Sequence, residues 1–380
     1  MKKILFVSHE AGVNGSTTSL VSLIKGIKQI RNDDVEITVL IPWMPMKFRH
    51  AKNTLEKNGI KCKEMLYRIN YKPVNIGKNL KEYMYDILNC IAVVLMSFYV
   101  KRNRIDVVCS NSVSVDVGAR AARLTRVKHV YYVREFMEED HGLEFRNKRR
   151  MKKLLESSDY IVFISKVIAE KYSSIYKLKK TKQFYNDIDI KRYFIANRDI
   201  LLNEKISVIQ VGIYSEGKGT LNSIQMMHML IKAGIDMFHL EFVGDGDERL
   251  KKQMKEMITK FELSDYISVS SYAEDIKTKL VGADILLMNS RWEGFGRVTV
   301  EGMLAGCLVL GRNSAGTAEI VQDGLTGLLF NNEQDFMRLS KYIIQNRGRV
   351  KMIAKNGQNW AVNEFSFGKC SQLFCDFVFE

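Results

Sequence analysis

The chain predicts an α/β fold of two doubly wound, Rossmann-like domains facing a central cleft. Three observations carry the prediction. Short, wholly apolar runs alternate with helical patterns along the 380 residues, as parallel strands buried on both faces require. The alternation restarts after residue 205, so a chain long enough for two domains reads as two. The charge divides in the same way: 58 Lys and Arg against 43 Asp and Glu give a net +15, and residues 1–199 hold 38 of those cations but only 21 of the anions. The first half is strongly basic and the second near neutral, which points to different partners.

An apolar content of 46% is ordinary for a globular core, and the three prolines (Pro42, Pro45, Pro73) break no repeat or low-complexity segment. The six cysteines (Cys62, Cys90, Cys109, Cys307, Cys370, Cys375) form no CxxC pair and read as small buried hydrophobes in a reducing compartment. The histidines show no metal-ligand spacing. The opening residues read as a first strand, since their apolar run is too short for a signal peptide. Residues 91–100 (IAVVLMSFYV) are the most apolar segment. With Asn89 just before them they fall short of a membrane span and read as a buried helix, with shallow membrane contact as the second reading.

Taken in order, strands are expected at 3–8, 35–41, 61–66, 105–110, 128–133 and 160–165. Helices fill 18–30, 79–101, 114–124, 146–156 and 166–176. Thr17 or Thr18 is placed to cap the first helix. Residues 137–143 (MEEDHGL) read as a charged loop, 177–182 (KLKKTK) as a basic turn, and 184–190 as a last short strand and turn. Residues 192–204 read as a linker. Strands then recur at 206–211, 239–243, 266–270, 283–288 and 307–310, with helices between. In such a sheet ligands sit beyond the carboxyl ends of the strands, where the polar stretches 9–18, 110–112 and 134–141 fall.

Residues 289–316 (NSRWEGFGRVTVEGMLAGCLVLGRNSAG) form the most informative stretch. A strand, a glycine loop, a helix over 297–305 and a further strand make a βαβ unit. The loop lets backbone approach a ligand, and the helix start aims free N–H groups and a positive dipole end at it, which suits phosphate. Glu293 and Glu301 offer carboxylates to vicinal sugar hydroxyls. Phosphate donors beside hydroxyl acceptors fit a nucleotide-sugar; an ordinary βα turn with two exposed glutamates is the other local reading.

Nearly the whole chain, most strongly residues 185–330, resembles the GT-B glycosyltransferases of glycosyltransferase family 4, the retaining, group 1 type. Glu293 and Glu301 match that family's paired glutamates. Gly316 and Glu319 match its glycine turn and following glutamate, and Asp323-Gly324-Leu325-Thr326-Gly327 match a further run. Asn186 and Asp189 resemble its signature at the domain junction. The resemblance implies that Lys218 contacts the donor diphosphate and Glu301 the ribose. It places Glu293 with the Phe295, Gly296 and Arg297 backbone beside the donor sugar and phosphates, with Glu319 in the same donor site. Gly12 and Gly15 line the N-terminal glycine loop. It implies no cofactor and no metal, helix ends and basic side chains offsetting the leaving charge.

Three positions depart from the family pattern. Ile213 replaces an arginine after the glycine of the lysine loop, so a phosphate cation is missing or supplied elsewhere. Thr317-Ala318 break a glycine pair. Arg134-Glu135 stand where many members place a histidine before a glutamate, so either His141 supplies the imidazole or Arg134 binds a phosphate. Asp245-x-Asp247 and Asp187-x-Asp189 look like metal motifs but fall in turns and read as chance matches.

The reading is therefore a glycosyltransferase with residues 1–198 as the acceptor-binding domain and 199–364 as the nucleotide-sugar-binding domain, residues 365–380 packing back on the first. The candidate catalytic residues are Glu293, His141 and Arg134. The acceptor is read as a saccharide, lipid-linked, in surface polysaccharide synthesis. The site of action is cytoplasmic, peripheral on the inner face of the plasma membrane, with the basic domain (including 146–153, RNKRRMKK) facing anionic lipid. Nucleic acid is excluded as a partner, since the charge accompanies no reading module. The rival readings are a nucleotide-sugar epimerase of the same fold and a non-catalytic partner subunit.

Overall fold

In the computed structural model, residues 1–12, 15–45, 50–74, 77, 80–273, 275–366 and 368–379 are described. The chain divides into two compact units, Met1–Asp187 with Phe367–Glu380, and Ile188–Ser366.

The first unit contains β1 (Lys2–Val7), α1 (Gly15–Arg31), β2 (Val35–Pro42), α2 (His50–Lys57), β3 (Lys61–Met65), β4 (Tyr71–Pro73), α3 (Leu80–Arg102), β5 (Val107–Ser110), α4 (Val117–Thr125) and β6 (Lys128–Val133). It continues through α5 (Met137–His141), β7 (Leu143–Phe145), α6 (Lys148–Ser157), β8 (Tyr160–Phe163), α7 (Lys166–Ile175) and β9 (Lys180–Gln183). Its main sheet runs β3-β2-β1-β5-β6-β8-β9, parallel throughout. The order reverses between β1 and β5, so the first unit's switch point lies beyond the carboxyl ends of that pair. The central strands are buried end to end, which is why they read as unbroken apolar runs.

The second unit contains α8 (Ile190–Tyr193), β10 (Ile206–Val211), α9 (Thr220–Lys232), β11 (Phe238–Val243), α10 (Glu248–Lys260), β12 (Ile267–Ser270), α11 (Lys277–Gly282) and β13 (Ile285–Met288). Then come α12 (Arg297–Leu304), β14 (Leu308–Arg312), α13 (Ala315–Ile320), β15 (Leu328–Phe330), α14 (Glu333–Gln345) and α15 (Arg347–Glu364). The sheet runs β12-β11-β10-β13-β14-β15, again all parallel, with its switch point between β10 and β13.

The last helix, α16 (Lys369–Phe379), belongs to the first unit. The Asp187 carboxylate accepts the backbone N–H groups of Cys370 (2.9 Å) and Ser371 (3.2 Å) and the Ser371 hydroxyl (2.6 Å), capping its N-terminus. The Phe374 ring stacks between Phe6 and Tyr132, at centroid distances of 6.1 and 6.2 Å.

Several elements differ from the sequence reading. Residues 137–145 hold a short helix and β7, which pairs antiparallel with β4. The basic turn contains β9, an exposed edge strand whose residues KTKQ offer no apolar signal, while the strand expected at 184–190 is absent. α1 begins at Gly15, so Thr17 lies inside its first turn and its hydroxyl donates to the Gly12 carbonyl at 2.9 Å. Residues 188–204, read as the end of the first domain and a linker, belong to the second unit. Cys90 is exposed, although the other cysteines are at least half-buried.

A buried imidazole ties the first unit together. The His129 ring bridges the hydroxyls of Ser110 and Ser158, both at 2.9 Å, and burial pulls its pKa from 6.5 down to about 3. The ring is neutral in the fold and charges readily once unfolded. Its contribution to stability is complete above pH 6.5 and is lost as pH falls towards the depressed value. The stability gap between wild type and His129→Gln, measured by urea unfolding, should shrink by about 1.4 kcal/mol per pH unit on acidification. A gap independent of pH would mean that the imidazole is not held neutral.

Candidate active site

Two loops meet at the switch point of the second sheet. One follows β10 and carries Lys218; the other follows β13 and carries Glu293. The first loop is fixed by the Gln210 amide, which donates to the Lys218 carbonyl at 2.8 Å, and by Ser215 Oγ, which accepts the Lys218 N–H at 3.1 Å. Gly219 sits at φ +68°, and a Cβ there would lie 2.4 Å from the Asn289 carbonyl oxygen. The buried Asn289 amide donates to Gly219 O (3.2 Å), Asn222 Oδ1 (3.0 Å) and Ser223 Oγ (2.9 Å), and accepts from Arg312 Nε (2.9 Å). Arg291 N–H closes the clamp on the Gly217 carbonyl at 3.0 Å.

So held, Lys218 Nζ lies 2.7 Å from Glu293 Oε2, both side chains partly open to solvent. The glutamate loop turns into α12 through Gly296 at φ +89°. The first intrahelical bond is Thr299 N–H to Gly296 O (3.0 Å), so the N–H groups of Arg297 and Val298 precede the ladder at the positive end of the helix. The Phe295 side chain is buried against Phe365.

Glu301, one turn inside α12, is buried at 4% exposure. Burial pushes its pKa up, opposed by the charges of Arg297 and Arg192 and by hydrogen bonds from Arg297 (3.2 Å) and the Tyr193 hydroxyl. Tyr193 is itself pushed up to about 12, by burial and then by Glu301. Burial outweighs these donors, so they offset its desolvation only in part while fixing the direction in which it accepts hydroxyls.

Gly316, in α13, closes against the glutamate loop. Its N–H donates to Glu293 O at 2.9 Å, and a Cβ would lie 2.7 Å from that oxygen and 2.9 Å from Phe295 O. Glu319 lies half-buried in the same short helix. The Ile213 side chain is 62% exposed. Asp245 pairs with Lys251 at 2.5 Å and Asp247 caps α10, while Asp187 and Asp189 cap α16 and α8. Each of the four carboxylates thus has a structural task.

In the first unit, the carboxyl ends of β1, β5 and β6 gather a separate polar cluster. Arg134 Nε donates to Asn111 Oδ1 (2.9 Å) and Nη1 to Asn186 Oδ1 (2.8 Å), with the guanidinium 4.0 Å over the Tyr132 ring. Among the described residues, the buried Nη2 of Arg134 and Nδ2 of Asn111 have no hydrogen-bond partner. Glu135 accepts the Ser112 hydroxyl; burial pushes its pKa up and the His9 charge pulls it back. His9 lies 3.3 Å from Glu10, and its pKa is raised because Glu10 and Glu135 outweigh its burial. A Cβ at Gly12 would meet nothing within 4 Å among the described residues, and Gly15 opens α1 beyond residues 13–14, which lie outside them. His141 ends α5, and its side chain also lies outside the described residues.

Residues 195–360 match the family described as glycosyl transferases group 1. That match lies wholly within the second unit. An uncharacterized 41.2 kDa protein in the cps region of Klebsiella pneumoniae is 30% identical over 161 residues, 40% of this chain and 42% of that one. The uncharacterized glycosyltransferase MJ1178 of Methanocaldococcus jannaschii is 30% identical over 221 residues, 56% of this chain and 57% of that one. The chain thus spans about half the length of these relatives. Anabaena HepE in complex with UDP-glucose is 21% identical, covers 99% of each chain and superposes with a TM-score of 0.78; this likeness establishes the two-domain GT-B fold. Lys218, Glu293 and Glu301, which the sequence singled out, fall within the matched residues. Asn289, Arg312 and Tyr193, which hold them, went unassigned because nothing local marks partners separated by tens of residues.

The close approach at Gly316 gives a direct test of the glutamate loop. Gly316→Ala should displace the 293–295 backbone, costing about 1–3 kcal/mol in urea unfolding. A variant with unchanged stability would mean that the loop yields without strain.

Proposed function

We propose that the protein is a retaining glycosyltransferase that moves a sugar from a nucleotide-sugar to a saccharide acceptor, lipid-linked, in assembly of a surface polysaccharide. The observation that carries this is the Lys218–Glu293 pair at the switch point of the second sheet, within the stretch similar to group 1 glycosyl transferases, with buried Glu301 one turn behind it. A diphosphate has the charge to take Lys218 from Glu293 and the oxygen geometry for the first N–H groups of α12. Glu301 accepts the ribose hydroxyls, and Glu293, released from its lysine, accepts hydroxyls of the donor sugar. Support for the donor class comes from the UDP-glucose bound to HepE, and for the polysaccharide context from the cps region of the Klebsiella relative.

In the reaction the bond from the anomeric carbon to the diphosphate breaks, a bond forms to the acceptor oxygen on the same face, and the acceptor hydroxyl proton passes to the departing diphosphate oxygen. The charge gathering on the diphosphate is met by Lys218 and the helix end, so we assign no metal or other cofactor to the step. Arg134, with Nη2 unpartnered among the described residues, is assigned to an anionic group of donor or acceptor. The basic first unit, acting at the cytoplasmic face of the membrane, is assigned the lipid-linked acceptor.

Nucleotide-sugar affinity, read by calorimetry across a panel of donors, should fall roughly ten- to hundredfold in Lys218→Ala and in Glu301→Ala, each removing a charged hydrogen-bond partner. Transfer to an acceptor should be unaffected by a chelator. Unchanged affinity in both variants would remove the donor-site assignment, and isomerisation of donor without acceptor would identify an epimerase instead.

A further inference from the structure

Helix α3 is apolar all round: an 18-residue window has a mean hydropathy of 1.6, yet only 28% of that window is buried. Helices of this kind belong in a core or in lipid. Its burial pattern divides it lengthwise. Ala92, Val93, Met96 and Val100 pack into the first unit's core, and Asn89 pins the helix there. The Asn89 side chain accepts the Arg68 N–H at 2.8 Å and donates to the Arg68 carbonyl at 2.9 Å. The opposite face carries Met84, Ile87, Ile91, Val94, Leu95 and Phe98, between 54% and 64% exposed. At 1.5 Å rise per residue this stripe runs for about 21 Å, far more than scattered surface hydrophobics.

The helix does not span a bilayer in this fold, because leaving the unit would strip Asn89 of its partners and expose the packed face. It is built to lie flat. Beside it, α4 and α6 present Arg123, Arg126, Arg149 and Lys153 around a groove of ≈ 790 Å³, with Leu124 exposed at its edge. Among the described residues none of these four cations forms an ion pair. The acidic side chains of α3 are already neutralised, Glu82 by Arg146 at 2.6 Å and Asp86 by Arg150 at 3.1 Å. Lys101 and Arg102 close the helix with two further exposed cations.

We propose that the outward face of α3 docks in the interface of an anionic lipid bilayer, its apolar stripe among the acyl chains and the α4–α6 cations on the headgroup phosphates. An apolar stripe beside uncompensated positive charge matches a membrane that supplies both an apolar phase and negative charge. A second copy of the chain placed on this face would bring like charges together. The inference rests on the membrane placement proposed for the first unit and names the surface that makes it; lipid binding needs neither donor nor acceptor, so its failure would remove that placement and leave sugar transfer itself intact.

Sedimentation of the full chain with phosphatidylcholine vesicles, with and without phosphatidylglycerol, tests it. The chain should pellet with the anionic vesicles and weakly with the neutral ones, and salt should release it. Each removed cation should cost about fivefold in partitioning, so Arg123→Glu with Arg126→Glu should lose roughly twentyfold or more. Ile91→Glu with Leu95→Glu should abolish binding while leaving the melting temperature unchanged, since both side chains face solvent. The milder Phe98→Trp should fold and be quenched by brominated anionic lipid. Equal binding to both vesicle types, variants that bind like wild type, a tryptophan that brominated lipid does not quench, or a wild-type dimer that Ile91→Glu dissociates would overturn the proposal.

Discussion

Asn289 stands at the carboxyl end of β13 with its amide buried, and its bonds to Gly219, Asn222, Ser223 and Arg312 tie the lysine loop to the strand that leads into the glutamate loop. Without that clamp, the separation of Lys218 and Glu293 would depend on two glycine-rich loops alone. The close contacts of Gly219 with Asn289 and of Gly316 with the Glu293 carbonyl allow the clamp to form, because neither position has room for a side chain. A buried amide with its donors and acceptor engaged is rigid as well as costly to disturb. The site is therefore organised by backbone approach first and by charge second.

The two units handle charge differently. In the second, the Lys218–Glu293 pair keeps partial access to solvent, so an incoming anion can compete for the lysine with little structural change. In the first, Arg134 is buried on Asn111, Asn186 and the Tyr132 ring, and burial lowers its pKa while the nearby acidic and aromatic groups oppose the shift. That guanidinium is held tightly, with one nitrogen unpartnered among the described residues.

The parallel strands and the glycine and glutamate spacing were legible because each leaves a local mark: unbroken apolar runs in one case, small residues next to carboxylates in the other. β9 escaped because an exposed edge strand of KTKQ needs no apolar face, and β7 because three residues are too few to show a period. Tyr193 and Arg192 fell in what reads as a linker, yet they face Glu301 from α8. The outward face of α3 was half-legible: its apolarity is plain in sequence, but a segment apolar on every side gives no periodicity to tell a buried face from an exposed one. His9 and Glu10 lie in a loop that the sequence placed correctly beyond β1, while their coupling to Glu135 depends on β1 and β6 flanking β5 in the sheet.

The account's central claim is the location of the donor, and a structure of the protein with a nucleotide-sugar bound tests it most directly. The claim predicts the diphosphate within hydrogen-bond distance of Lys218 and of the Arg297 and Val298 N–H groups, with the ribose hydroxyls on Glu301. A nucleotide held elsewhere, with Lys218 still paired to Glu293 and Glu301 out of its reach, would contradict it.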